Sequence, residues 1–314
     1  MRVVEVTAYG GPEVLRMARR PVPEAGDVPG RVRVRLKAAG VNQADLRIRA
    51  GLYADAVGAL KPPFVLGTDF AGKLLDPVPG MAEGTRVAGY VNWYEELTGE
   101  GTYAEVIWVD PDWLAPIPDD VDFTVAASVP LASATAQQGL DRLALPAGAT
   151  LLVTGASTVV GRFALQYAHA AGLRVVAIAH EGDESELKIL GADHAIPRGA
   201  PEDVAARVME AAPERVDGIF DGALFGGVGL LPLLKDDGVF VAIAPDRVPA
   251  AERNIRVEAV RARPDAARLK ETLEKVAARE LITRVADVMP LEEVAEAHRR
   301  AEAGHRPGRI ILMI

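Results

Sequence analysis

Thr154-Gly-Ala-Ser-Thr-Val-Val-Gly161 is the stretch of this 314-residue chain best suited to holding a phosphate. An apolar run, Leu151–Thr154, ends in small residues, and a helical pattern reopens at Arg162-Phe-Ala-Leu-Gln-Tyr-Ala-His. Strand, tight turn and helix in that order place free N–H groups and the positive end of a helix dipole at the turn. A dinucleotide pyrophosphate would be held there by the cofactor-binding run Gly155, Ala156, Ser157, Thr158, Val159, Val160 and Gly161. The spacing departs from G-x-G-x-x-G: with Gly161 as the third glycine, Ala156 holds the first place and Thr158 the second. A Cβ at Thr158 either pushes the phosphate away, or its hydroxyl and that of Ser157 bond it directly.

An acid about 20 residues past such a turn bonds the ribose 2′-OH. Glu181 stands at that distance, beside His180. No Lys or Arg lies between Arg174 and Lys188, while Glu181, Asp183, Glu184 and Glu186 crowd the segment. A ribose 2′-phosphate would meet net negative charge there, which leans towards NADH or poor discrimination. Ala223, Ala242 and Ile243, in or just past the candidate strands 217–221 and 238–244, complete the expected cofactor-binding set.

The elements that position this turn alternate from about residue 125. Candidate strands are 151–154, 174–179, 217–221 and 238–244; candidate helices are 161–171, 183–190, 202–211 and about 225–234. Near-continuous apolar strands with short connections predict a parallel sheet covered on both faces. Asn254-Ile-Arg-Val-Glu-Ala-Val-Arg alternates, as an edge strand does, and an edge strand suits a homodimer built by sheet pairing. Residues 1 to 124 are strand-rich instead. Val32-Arg-Val-Arg-Leu-Lys-Ala alternates apolar and charged residues, and proline–glycine loops separate further short strands. The tail carries helical patterns at 266–279 and 290–304 and a final strand from Arg309.

Bulk properties narrow the function. The net charge of −9 disfavours nucleic acid or an anionic membrane as partner. No apolar run is long enough to span a bilayer, and Met1-Arg-Val-Val-Glu-Val lacks the apolar core of a signal peptide. The absence of cysteine removes disulfides, thiolate nucleophiles and cysteine-ligated zinc. A cytoplasmic location and a small-molecule substrate are the expectation.

Seven segments in order resemble the medium-chain dehydrogenase/reductase superfamily, in its zinc-free quinone oxidoreductase branch. They are Gly40-Val-Asn-Gln-Ala-Asp-Leu-Arg-Ile-Arg-Ala-Gly-Leu-Tyr53, Pro63-Phe-Val-Leu-Gly-Thr-Asp-Phe-Ala-Gly72, Gly101-Thr-Tyr-Ala-Glu105, Pro130-Leu-Ala-Ser-Ala-Thr-Ala136, Leu190-Gly-Ala-Asp193, Pro290-Leu-Glu-Glu-Val-Ala-Glu-Ala-His-Arg-Arg300 and Gly308-Arg-Ile-Ile-Leu312. The resemblance implies an α/β fold: a Rossmann doubly wound parallel sheet over 125–264, plus a β-rich GroES-like catalytic domain formed by 1–124 and 265–314. It implies NAD(P)H, with NADPH usual in the family, although the Lys or Arg the family uses for it is missing here. It also implies Asn42 and Tyr53 as catalytic residues and Thr135 beside the nicotinamide. A tyrosine common in quinone-reducing relatives falls at Arg47, and Val159 replaces a usual glycine.

Zinc-dependent members carry a cysteine where this chain has Asn42 and a His-Glu pair where it has Thr68-Asp69. The five histidines (His169, His180, His194, His298, His305) lie elsewhere in the sequence, so no metal is expected. The chemistry implied is hydride reduction of a quinone or α,β-unsaturated carbonyl, which needs a donor at the carbonyl oxygen and a proton source. Thr154-Gly-Ala-Ser also resembles short-chain dehydrogenases, but no tyrosine has a lysine four residues on. The alternative is a binding or regulatory relative that keeps the fold and has lost tight cofactor binding.

Overall fold

The computed structural model describes residues 1–53, 60–304 and 307–314. The chain divides into two compact units, Met1–Leu131 with Arg263–Ile314, and Ala132–Ala262. The boundaries expected from sequence were 124/125 and 264/265. The first divide falls in the first turn of a helix, α4 below, just after its opening Pro130.

The first unit opens with β1 (Arg2–Val6), β2 (Leu15–Arg19), β3 (Val32–Gly40), α1 (Gln43–Arg49), β4 (Phe64–Val65), β5 (Asp69–Leu74) and β6 (Arg86–Tyr90). Then come α2 (Trp93–Glu96), β7 (Val106–Val109), β8 (Ala115–Pro116), α3 (Phe123–Ala126) and α4 (Pro130–Leu143). The alternation read in β3 places Val34 and Leu36 in the core and leaves Arg35 exposed. Thr102-Tyr-Ala-Glu-Val-Ile-Trp-Val-Asp reads as one strand in sequence, yet only 106–109 pairs as one. The residues before it bond across to the loop ahead of β5, with Tyr103 N donating to Leu66 O at 2.9 Å.

The second unit carries β9 (Thr150–Thr154), α5 (Val159–Ala170), β10 (Arg174–Ala179), α6 (Glu184–Ile189), β11 (His194–Pro197), α7 (Pro201–Ala211), β12 (Val216–Asp221), β13 (Leu234–Ala242) and β14 (Arg256–Ala259). These six strands form one parallel sheet in the order β11-β10-β9-β12-β13-β14. That is the doubly wound Rossmann order. β10 is buried along all but its first residue, as a strand covered on both faces must be.

The expected helix at 225–234 does not form. Leu224, Gly226, Gly227 and Gly229 all have positive φ, which a right-handed helix cannot contain. The Asp221 carboxylate instead accepts from Phe225 N at 3.2 Å and Gly226 N at 2.9 Å. A single 3-10 turn, Leu231–Leu233, leads into β13.

The tail, α8 (Ala266–Ala277), β15 (Val285–Pro290), α9 (Val294–Ala303) and β16 (Arg309–Met313), returns to the first unit. β16 pairs antiparallel with β3 and parallel with β15, whose residues carry no strand pattern in sequence. Val288 of β15 is exposed, Val285 and Ala286 are half-buried and Met289 alone is buried, so no apolar alternation marks it. Among the described residues, no helix is long and apolar enough to cross a membrane.

Candidate functional site

In the first unit, α1 begins one residue after Asn42, its N-cap. Asp45, in the third helical position, accepts from Asn42 N at 2.8 Å, the reciprocal bond of a capping box. The Asn42 side chain is occupied from two directions. Its Nδ2 donates to Asp69 Oδ2 at 3.0 Å, and its Oδ1 accepts from Arg309 Nη1. Arg309 Nη2 faces Asp69 Oδ2 at 3.8 Å, an ion pair without a hydrogen bond. Asp69 Oδ1 accepts from Leu131 N at 2.7 Å. All three side chains are buried. Burial raises the Asp69 carboxyl, and the Arg309 guanidinium opposes the rise.

A second chain of bonds runs from Asp45. Tyr103 Oη donates to Asp45 Oδ2 at 3.2 Å, and His298 Nε2 lies 3.2 Å from Tyr103 Oη. His298 Nδ1 lies 2.9 Å from Arg49 Nη1. A guanidinium only donates, so Nδ1 must accept; a neutral imidazole then carries its proton on Nε2 and donates to the tyrosine oxygen. The bonds therefore share one direction, Arg49 to His298 to Tyr103 to Asp45. The far end, Arg49, also pairs with Glu302 and donates to Gly10 O at 3.0 Å. Burial and the Arg49 charge push His298 down to about 3, which keeps it neutral. Burial pushes Asp45 up to about 6, against the bonds from Asn42 and Tyr103 that hold it down, so it is ionised at neutral pH.

Tyr53 packs against the apolar core of this unit, and the Arg47 guanidinium lies over its ring, 4.7 Å from the centroid. Arg47, at the position of a family tyrosine, thus serves as a cation–π partner of the remaining one. His298, which the sequence separates widely from Asn42, reaches Asp45 through Tyr103. Among the described residues, no group of three or more His, Asp or Glu could hold a metal ion. His305 lies outside the described residues.

In the second unit, the turn after β9 is shaped by two glycines. Gly155 has φ +63°, and a Cβ there would lie 2.7 Å from Gly222 C. A Cβ on Gly161 would lie 2.2 Å from Gly155 O, so α5 can approach the turn only with glycine there. Thr158 is the N-cap of α5, and its Oγ1 accepts from Gly161 N at 3.1 Å. Ser157 Oγ accepts from His180 N at 2.9 Å, tying the turn to the end of β10. Both hydroxyl oxygens are therefore used as acceptors, and each keeps a hydrogen to donate. Ala156 is buried; Val159 and Val160 are half-buried at the start of α5, where backbone N–H groups lack intrahelical partners.

Ala223 N donates to Thr154 Oγ1 at 3.0 Å, and Thr154 Oγ1 donates to Asp221 Oδ1 at 2.6 Å. Ala242 ends β13 with Ile243 directly after it, and Ile243 N donates to Asp221 O at 3.4 Å. Glu181 is exposed, beside a half-buried His180. Thr135 is buried on α4.

A model of the alcohol dehydrogenase GroES-like domain matches residues 28–119, and a model named zinc-binding dehydrogenase matches 190–312. The NADPH-dependent alkenal/one oxidoreductase, chloroplastic, of Arabidopsis thaliana is 30% identical over 97% of this chain and 77% of its own length. The chain belongs to the medium-chain dehydrogenase/reductase superfamily, in its quinone oxidoreductase-like branch.

Other members of the superfamily agree in part. The 2-methylene-furan-3-one reductase of Solanum lycopersicum is 30% identical over 81% of this chain, which spans 64% of that protein. Quinone oxidoreductase of Mus musculus is 32% identical over 62% of this chain and 57% of its own length. A solved structure described as an NAD-dependent alcohol dehydrogenase superposes over 100% of both chains with TM-score 0.84 and 31% identity.

Within this member of the superfamily, sequence reasoning passed over Asp45, Tyr103, His298, Arg309 and Arg162. The polar residues among the apolar positions of Asp45-Leu-Arg-Ile-Arg49 and Ala295-Glu-Ala-His298 were the only signal, because their partners are up to 267 residues away.

Proposed function

We propose that the chain is an NAD(P)H-dependent, zinc-independent reductase of quinones or α,β-unsaturated carbonyl compounds. The observation that carries this is Arg309. Zinc-dependent relatives place ligands where this chain has Asn42 and Thr68-Asp69, and here a buried guanidinium bonds Asn42 and pairs with Asp69. A fixed cation there opposes a divalent metal, and an amide with a single carboxylate is a poor zinc donor set. Reduction of a conjugated carbonyl does not need the metal; it needs a placed hydride donor and stabilisation of charge at oxygen.

The residues of the second unit fit a dinucleotide. Gly155 and Gly161 allow close backbone approach, and the first-turn amides of α5 with the Ser157 hydroxyl are the donors that would hold a pyrophosphate, with Thr158 at the helix start beside it. Thr135, Ala223, Ala242 and Ile243 complete that set. A bound NAD(P)H supplies the hydride. In the first unit, the Tyr53 hydroxyl is the proposed donor to the substrate oxygen. Asn42, clamped by Asp69 and Arg309, orders the start of α1, the helix that leads to Tyr53. The exposed edge of β14 is the proposed homodimer seam.

The commitment of the Asn42 amide to Asp69 and Arg309, with Thr158 in the turn, favours a second reading: a cofactor-free binding relative. One experiment separates the two. NADPH and NADH fluorescence is titrated with purified protein, then reduced-nicotinamide absorbance is followed with a benzoquinone and with an enone, with and without chelator. Saturable binding and chelator-insensitive turnover are expected. No saturable binding of either nucleotide below millimolar concentration would sink the reductase.

A further inference from the structure

The segment after β10 carries acids and no Lys or Arg of its own, yet the fold brings it a cation. Arg162, on α5, extends under the first turn of α6, and its Nη2 donates to Glu186 Oε1 at 2.5 Å. The Arg162 side chain is only 2% exposed, whereas that of Glu186 is 37% exposed. Arg162 Nε and Nη1 are buried without a hydrogen-bond partner. A guanidinium has five N–H donors, and those on these two nitrogens have no acceptor. Donors buried in that state are costly unless something accepts from them.

The place matters as much as the shortage. β9 and β10 are adjacent in the sheet and pair from Thr150↔Arg174 to Val153↔Ala177. α5 follows the end of β9, and α6 follows the end of β10. Ser157 Oγ, bonded to His180 N, joins the two turns. The Arg162–Glu186 pair therefore belongs to the carboxyl end of two neighbouring strands, where a doubly wound sheet binds its nucleotide and where the adenosine ribose meets the loop after the second strand.

We propose that Arg162 is the receptor for the ribose 2′-phosphate of NADPH and that Glu186 is its built-in competitor. The phosphate takes over the Nη2 donor from the Glu186 carboxylate and accepts from the unused nitrogens. The displaced carboxylate, already over one-third exposed, turns to water. A phosphate offers three acceptor oxygens in a geometry that matches the guanidinium fork, and the single bond to Glu186 does not use that fork. Preference for the phosphorylated cofactor then comes from a helix residue outside the loop where a sequence search looks for it. This rests on the proposed function, which makes the second unit the dinucleotide-binding half.

The test is calorimetric titration of the full chain with 2′,5′-ADP and with 5′-AMP, which differ by the 2′-phosphate alone. The native chain binds 2′,5′-ADP tighter by about tenfold or more, the scale of one charge-assisted hydrogen bond. Glu186→Gln, which leaves the arginine in place, tightens 2′,5′-ADP by a further several-fold and leaves 5′-AMP unchanged. Arg162→Gln brings the two affinities together. Equal affinities in the native chain, or an unchanged ratio in Glu186→Gln, overturn the assignment of Arg162 while leaving a nucleotide site standing. Failure of both nucleotides to bind in every variant overturns the dinucleotide reading and this one with it.

Discussion

Each unit holds a buried arginine beside a carboxylate, and the two pairs differ in what surrounds them. Arg309 lies among Asn42, Val41 O and Asp69, and Asp69 is as buried as the arginine. Arg309 Nε and Nη2 lack hydrogen-bond partners, as Arg162 Nε and Nη1 do, but the Asp69 carboxylate is held inside the unit by Asn42 and Leu131 N. Arg162 has one acceptor, and that acceptor reaches solvent. Around it the turn keeps further spare capacity in two hydroxyl hydrogens and the first amides of α5. A pair whose carboxylate is locked inside the fold holds a structure together, whereas a pair whose carboxylate can leave for water can exchange its partner. The residues expected from family resemblance to do chemistry fall partly beside the first pair, and the expected cofactor residues in the unit that holds the second.

That contrast can be broken most directly by removing the two arginines. Arg309→Met strands a fully buried carboxylate and should cost about 3–5 kcal/mol, read from urea unfolding. Arg162→Met strands only a carboxylate that water can reach and removes three donors already lacking acceptors. It should cost about 1 kcal/mol or less. Equal losses would show that the two environments do not differ as described.

Acid sharpens the contrast within the first unit. The folded-state pKa of His298 is depressed to about 3, below that of the unfolded chain. The unfolded state therefore binds more protons between about pH 6.5 and 3, and this histidine withdraws stability as the pH falls through that window. Asp45, raised to about 6, acts in the opposite sense between about pH 6 and 4, because there the folded state binds the extra proton. The stability difference between the native chain and His298→Gln should shift against the native chain by about 2 kcal/mol from pH 7 to pH 5. An unchanged difference would mean that His298 is protonated in the fold and that the directed chain of bonds is wrong.

The smallest effect concerns the turn. Thr158→Gly gives up a threonine N-cap for a glycine one and should lower stability by only a few tenths of a kcal/mol. Nucleotide affinity should rise, because the change removes a side chain where backbone must approach pyrophosphate. A fall in affinity would make the hydroxyl a ligand.

Much of this molecule was legible in its residues. The strand–turn–helix at 151–170 was, because small residues and a change of period sit next to each other in the chain. Gly161 was too, because only that residue type fits against Gly155 O. The region 225–234 misled because Leu230-Leu-Pro-Leu-Leu234 is apolar enough for a helix, while the positive φ values before it are set by Asp221. Asp45, Tyr103 and His298 were hidden for a different reason. Tyr103 and His298 stand 195 residues apart, and neither has a local partner that would explain a buried polar group. Arg162 is not legible because the strand–loop segment itself carries no cation, whereas this one enters sideways from the neighbouring helix.

The first unit is also discontinuous in the chain: Met1–Leu131 is completed by Arg263–Ile314. Synthesis runs from the N-terminus, so Asp45 and Asp69 leave the ribosome long before His298 and Arg309 exist. Until then their carboxylates have no buried cation to meet, and β3 lacks β16 along one edge. The Ala132–Ala262 unit is continuous and can close its sheet in that interval. The half proposed to bind the nucleotide is therefore completed first, and the half proposed to carry the substrate chemistry is sealed only by the last strand made.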